Sequence, residues 1–244
     1  MKRTKKKMES VIIKTGIKGF DELIEGGFKE GKIILLSGTP GTGKSIFAME
    51  YLYNGASKFG ERGLYVTLEE KKDALINQAM QFGWDFKELE KKGLLEVMEI
   101  GIKSITERTV QDIVRKAKKG KIRRLVLDSI SSLAINTPTT YLKTSELTEM
   151  AVKKFVYGFI NDLRQLKETT SLIISQTVDG QISSDGVSEF VCDGIIYIMY
   201  EAIAGQYTRS LMIRKMRETR NNPDIHPMEI THKGIVVHPG LGES

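Results

Sequence analysis

The chain contains one cysteine, Cys192, in 244 residues. No internal disulfide can form, and a thiolate-built metal cluster is excluded. Long apolar runs are also missing. The longest, Ile195 to Tyr200, suits a buried strand and falls far short of the ~20 residues that a bilayer-spanning helix needs. The basic start is followed only by Val11-Ile12-Ile13, too short for the apolar segment of a signal peptide. These absences imply a cytoplasmic protein with no membrane association. No repeat, low-complexity tract or Pro/Ser-rich linker divides the sequence. Its length suits one large α/β domain with a substantial core and is marginal for two.

Net positive charge is small outside the beginning. The net charge is +6, and Lys2, Arg3, Lys5, Lys6 and Lys7 supply five cations. The rest is therefore nearly neutral. We read residues 1–10 as a basic tail and 11–244 as a single domain. A basic arm can touch nucleic acid or an acidic partner, or simply stay solvated.

One run is rich in chemistry: Gly38-Thr39-Pro40-Gly41-Thr42-Gly43-Lys44-Ser45. It fits the G-x-x-x-x-G-K-[ST] phosphate loop at every fixed position. The apolar run Ile33 to Leu36 precedes it, and a helical pattern opening at Ile46 follows. Such a loop turns backbone N–H groups toward phosphate oxygens, and the helix start adds partial positive charge. Lys44 can reach the β- and γ-phosphates of ATP, and Ser45 can hold Mg²⁺.

The periodicity predicts strands at 33–37, 64–68, 94–99, 124–128 and 171–175. Helices are expected at 44–59, 70–83, 85–92, 105–119 and 145–168, with Asp85 as an N-cap. After 194 the pattern is mostly strand, ending in a hairpin at Thr231-His232-Lys233-Gly234. Unbroken apolar strands such as Arg124 to Asp128 suit a sheet covered on both faces. The expected fold is α/β: a mainly parallel sheet flanked by helices, with antiparallel C-terminal strands.

In a parallel sheet the phosphate loop and Asp128 emerge at the same carboxyl edge. Asp128 is thus a second Mg²⁺ candidate beside Ser45, although it could also cap the turn Ser129-Ile130-Ser131-Ser132. Glu69 and Glu70 follow the strand 64–68 at that edge. Neighbouring strand-end residues point differently, so one can face the γ-phosphate while the other supports it. Both could also simply begin a helix. Gln176 ends a strand there and could sense the γ-phosphate or simply hydrogen-bond within its loop. Lys215 and Arg217 are two apart on a late strand and share a face. They could reach phosphate oxygens of a neighbouring subunit or protect a sheet edge.

Together these residues resemble the KaiC family of RecA-like ATPases. The likeness runs through Thr15-Gly16-Ile17-Lys18-Gly19-Phe20-Asp21, the phosphate loop, Val66 to Glu70, Leu125 to Ser129, Gly186 to Gly194, Lys215-Met216-Arg217 and Pro227 to Thr231. It implies a RecA-like fold and a homohexameric ring with ATP and Mg²⁺ between subunits. It further implies Glu69 and Glu70 as catalytic acids and Lys215, Met216, Arg217 and Thr219 as contacts to a neighbour's ATP.

Two departures are informative. The positions of a phosphorylated Ser-Thr pair in some members are Glu189 and Phe190 here. Neither accepts phosphate, although Ser188 adjoins them, so hydrolysis is favoured over autokinase activity. The family's usual Gly-Thr-Ser-His after Lys-Met-Arg is Glu218-Thr219-Arg220-Asn221. The expected function is a regulatory or signalling ATPase ring read by a protein partner. The alternative is a RecA/RadA-type DNA-binding recombination ATPase. Its candidate DNA loops, 134–146 and 177–189, lack clustered cations and stacking aromatics.

Overall fold

The computed structural model describes residues 11–106, 108–136, 145–177, 181–203 and 206–240. The basic tail, most of the loop 134–146 and residues 178–180 of the second loop lie outside them. A two-stranded antiparallel ribbon, β1 (Ile12–Ile13) and β2 (Phe28–Lys29), brackets the short 3₁₀ turn Asp21–Ile24. The main sheet follows: β3 (Ile33–Gly38), β4 (Gly63–Thr67), β5 (Leu95–Glu99), β6 (Arg124–Asp128), β7 (Thr170–Gln176), β8 (Gly194–Ile203), β9 (Gln206–Met216), β10 (Ile225–Thr231) and β11 (Gly234–Val237). The helices are α1 (Lys44–Phe59), α2 (Lys72–Gln81), α3 (Phe86–Lys91), α4 (Thr109–Gly120), α5 (Ile130–Ile135), α6 (Ser145–Leu163) and α7 (Ser188–Val191).

Among the described residues the sheet has nine strands, ordered β11-β10-β9-β8-β3-β7-β6-β4-β5. From β8 to β5 neighbours are parallel, and β9, β10 and β11 add on antiparallel. Alternation along β3 explains the three layers. Ile34 and Leu36 join Phe47, Tyr51 and Leu52 of α1 and Leu75 of α2 on one face. Ile33 and Leu35 join Ile113 of α4, Leu133 of α5 and Phe159 of α6 on the other. A strand buried on both sides must be apolar throughout, and every residue of β3 and β4 is buried.

Local chemistry sets the ends. The Asp85 side chain accepts the Glu88 N–H at 2.9 Å and starts α3. The left-handed Gly60 (φ 65°) closes α1, its N–H donating to the Gly55 carbonyl. Helix α4 begins at Thr109 rather than at 105, because the Thr109 hydroxyl accepts the Thr106 N–H at 2.8 Å. Helix α6 ends at Leu163, five residues early, where Leu166 N–H donates to the Leu163 carbonyl and buries Leu166 in the core. Helix α5 is an addition to the expected elements. Ser129 caps it, its hydroxyl accepting the Ser132 N–H at 3.2 Å.

Candidate functional site

Strand β3 delivers the chain to Gly38, and the loop turns directly into α1. Gly41 (φ 80°) and Gly43 (φ 106°) take backbone angles that side chains resist. A Cβ on Gly43 would stand 2.8 Å from Ile230 Cδ1, wedging the loop off β10. Lys44 Nζ donates to the Gly38 and Thr39 carbonyls, each at 2.8 Å. Burial lowers its ammonium pKa to about 8, against the attraction of Asp128 and Glu69. Such a cation, held by neutral carbonyls in a glycine loop, suits phosphate oxygens.

Register brings the acids to the loop. Thr67 of β4 pairs with Asp128 of β6, which places Asp128 at the carboxyl edge. Asp128 Oδ2 accepts from Ser45 Oγ at 2.8 Å and from Tyr65 Oη at 2.6 Å. Burial nevertheless raises the Asp128 pKa; the two hydrogen bonds lower it, and Glu69 raises it further. A buried carboxylate whose neutral donors do not offset desolvation favours a cation. Ser45 and Asp128 therefore fit the hydroxyl-plus-carboxylate set that holds Mg²⁺ at a phosphate loop. The capping role for this turn belongs to Ser129, not to Asp128.

The paired acids divide. Glu69 Oε1 accepts from Ser129 Oγ at 2.7 Å and from Ser132 Oγ, which ties it to the start of α5. Glu70 lines a 310 Å³ cleft with Lys44, Ser45 and Ile46. Its backbone is pinned by Thr67, whose hydroxyl accepts the Glu70 N–H at 3.1 Å. Burial, then Asp128 and Glu69, raises the Glu70 pKa. Gln176 pairs with Gly38 across β7 and β3, and its N–H donates to Ser131 Oγ at 2.9 Å. It thus stands beside the loop.

Lys215, Met216 and Arg217 lie elsewhere. Arg217 N–H donates to the Asp193 carbonyl, and Asp193 N–H to that of Ile33, at the amino end of β3. Five residues of strand, roughly 16 Å at ~3.3 Å each, separate that level from Gly38. Lys215 Nζ donates to the carbonyls of Glu189 (3.1 Å), Phe190 (3.2 Å) and Cys192 (2.6 Å). Arg217 also reaches the Phe190 carbonyl, at 3.4 Å, so the two cations do share a face. Burial and then Arg217 lower the Lys215 pKa. Met216 packs against the core, where a Cβ on Gly194 would come within 2.7 Å of its sulfur. Thr219 lies in the following turn, its N–H donating to the Met216 carbonyl. Ser188 is buried, with its hydroxyl on Asp185 Oδ2 at 2.8 Å.

Two cleft residues escaped the sequence reading. Arg209 Nη2 donates to the Gly41 carbonyl at 3.2 Å, and its guanidinium covers the Tyr200 ring at 4.3 Å. Gln78 lines the cleft from α2. Gln78 Oε1 and Arg209 Nε are buried without a partner among the described residues. Arg209 carried a usable signal: at two-residue spacing it shares a strand face with the core residues Leu211 and Ile213 on β9. A charge at an inward strand position asks for a function. Gln78 carried none.

Comparison with known proteins agrees with this geometry. Residues 13–242 match the model of the KaiC ATPase family. A UPF0273 protein of Aeropyrum pernix is 36% identical, aligned over 93% of each chain. One from Thermotoga maritima is 35% identical over 94% of this chain and 97% of its own. The crystal structure of a KaiC-like protein from Pyrococcus horikoshii is 36% identical with a TM-score of 0.83, covering 94% of this chain and all (100%) of that one. Among the described residues no helix is long and apolar enough to cross a membrane.

Proposed function

Because this chain belongs to the KaiC ATPase family, we propose that it binds ATP with Mg²⁺ and hydrolyses it at a site completed by a neighbouring copy. The observation that carries the reading is the Ser45–Asp128 contact at 2.8 Å beside the buried ammonium of Lys44. Lys44 neutralises β- and γ-phosphate oxygens, and Ser45 and Asp128 hold Mg²⁺. When bound, Mg²⁺ supplies positive charge where negative charge develops on the transferred phosphoryl group. Glu70 faces the cleft and orients the attacking water. The water oxygen bonds to the γ-phosphorus, its proton passes to Glu70, and the bond from that phosphorus to the bridging oxygen breaks to release ADP. Glu69, held by Ser129 and Ser132, fixes the strand end from which Glu70 projects.

Lys215 and Arg217 sit at the opposite sheet edge from their own loop, so a head-to-tail ring supplies them in trans. A homohexamer is the assembly this reading expects. The buried, Asp185-bonded Ser188 favours plain hydrolysis over autophosphorylation. The reading extends to a regulatory role in the cytoplasm, read by a protein partner, and likeness to the KaiC family supports it. The DNA-recombination reading is not favoured.

Mixing two inactive variants tests the shared site. Glu70→Gln chains retain the trans cations, and Arg217→Ala chains retain the acid. A 1:1 mixture should regain about a quarter of the wild-type phosphate release, the share of interfaces that random mixing leaves intact. Recovery no greater than the sum of the two variants overturns the shared site. Undiminished hydrolysis by the Glu69→Gln/Glu70→Gln double variant overturns the acid assignment.

A further inference from the structure

The near-neutral body hides a local excess of charge. Helix α4 and the turn into β6 read Arg115-Lys116-Ala117-Lys118-Lys119-Gly120-Lys121-Ile122-Arg123-Arg124, seven cations in ten residues. Arg124 is fully buried and ion-paired with Glu61. Arg115 is paired with Asp112, Lys116 with Glu96, and Arg123 with Glu30 and Glu168. Lys118, Lys119 and Lys121 are exposed, as is Lys167 from the turn before β7. Among the described residues none of these four has a carboxylate partner; Lys118 reaches only Gln165 Oε1, at 3.5 Å. They line two adjoining clefts of 590 and 600 Å³ that share Lys118 and Gln165. Asp162 is the acid in the first cleft, where it accepts from Gln165 at 3.2 Å, and Glu168 the acid in the second.

A second observation points to the same place. Val11 is the first described residue, and its carbonyl accepts the Glu30 N–H at 2.9 Å. Glu30 in turn pairs with Arg123 at the rim of the second cleft. The segment carrying Lys2, Arg3, Lys5, Lys6 and Lys7 therefore joins the domain beside the patch. This is the amino edge of the sheet at β6 and β7, away from the chain's own phosphate loop and on the other side of β3 from the β8–β9 segment that carries Lys215 and Arg217.

We infer that this edge binds the phosphate backbone of duplex nucleic acid without reading its sequence. The unpartnered cations are all lysines, which act as point charges; the arginines suited to forked carboxylate pairing are already occupied. Among the described residues no exposed large apolar side chain lines either cleft; Val11 and Ile12 are exposed beside them, not within. A protein partner would lack the buried anchors that carry most interfaces. Single strands would lack stacking platforms. Duplex phosphates need neither.

Neutralising four phosphates contributes roughly −3.6 to the slope of log affinity against log salt, about 150-fold between 50 and 200 mM. The test is fluorescence anisotropy of a labelled 20-base-pair DNA duplex with the full chain, across that salt range. The Lys118→Gln/Lys119→Gln/Lys121→Gln/Lys167→Gln variant should bind more weakly and lose about three to four from the slope, with unchanged melting temperature and unchanged ATP hydrolysis. No duplex binding at 50 mM salt overturns the inference. So does a variant that binds like wild type while removal of residues 1–10 abolishes binding, because the tail alone is then responsible. Tighter binding of polyglutamate than of duplex would assign the patch to acidic protein instead.

Discussion

Glu50 gives the sharpest stability prediction. It sits on α1, behind the phosphate loop, and is 6% exposed. Its Oε2 accepts the Ile235 N–H at 2.7 Å, joining the β10–β11 hairpin to α1. Gly234 (φ 123°) leaves room for it, since a Cβ there would stand 2.5 Å from that oxygen. Burial raises the Glu50 pKa from 4.5 to about 7, against the Ile235 hydrogen bond, Lys58 and Asn54. The folded protein thus prefers the protonated acid more than the unfolded chain does. The resulting stability is fully present below the unfolded pKa and is lost as pH rises through about 7. At ~1.36 kcal/mol per pH unit the loss is roughly 3 kcal/mol. Glu50→Gln keeps an acceptor for Ile235 and has no charge to bury. Urea unfolding of both proteins should therefore give a stability difference that shifts in favour of Glu50→Gln by about 3 kcal/mol between pH 4.5 and 8. For a chain of this size that corresponds to a relative melting shift of about 6–12 °C. A difference that stays constant within about 0.5 kcal/mol across that range refutes the reasoning.

The other predictions concern the nucleotide site. Glu70→Gln should lower phosphate release by about 10²–10⁴-fold with ATP affinity retained; equal loss of binding would make Glu70 a binding residue. Ser132→Ala, which removes one tether from Glu69, should reduce turnover less than Glu70→Gln does, and a larger loss would transfer the leading role to Glu69. Because Lys44 has a pKa near 8, the ATP association constant, measured by calorimetry, should be flat below that pH and fall above it as the ammonium discharges. A constant affinity from pH 7 to 9.5 would remove Lys44 from the phosphate contacts. Gly43→Ala should abolish ATP binding while changing the melting temperature little, because Ile230 and the positive φ oppose a methyl group only in the loop.

The elements legible in the sequence were those governed by short-range rules. The phosphate loop, α1 and β6 follow from a fixed motif, a helical period ended by a glycine, and an unbroken apolar run. Helix α1 spans Lys44–Phe59, as its pattern predicts. Helix α5 was not legible as a helix, because Ser129-Ile130-Ser131-Ser132 suits a turn equally well until Glu69 draws the hydroxyls of Ser129 and Ser132 together. That same long-range contact separates Glu69 from Glu70, which adjacency in sequence leaves equivalent. Gln78 is further from view still, since its place in the cleft depends on how α2 packs against α3 and β5, and no local pattern marks it. The free part of the basic edge was hidden for another reason. A net charge averages over the whole chain, whereas an electrostatic field depends on which cations lack a nearby acid. Arg115 and Lys118 look alike in the sequence, yet one meets Asp112 and the other meets only an amide oxygen. Topology likewise turns the Lys215/Arg217 pair from a local motif into an argument about assembly. Since β9 runs antiparallel to β8 and β8 parallel to β3, the end of β9 lies at the edge opposite the phosphate loop. A chain that places its own cations there can use them on a nucleotide only if a second copy presents its loop to that edge.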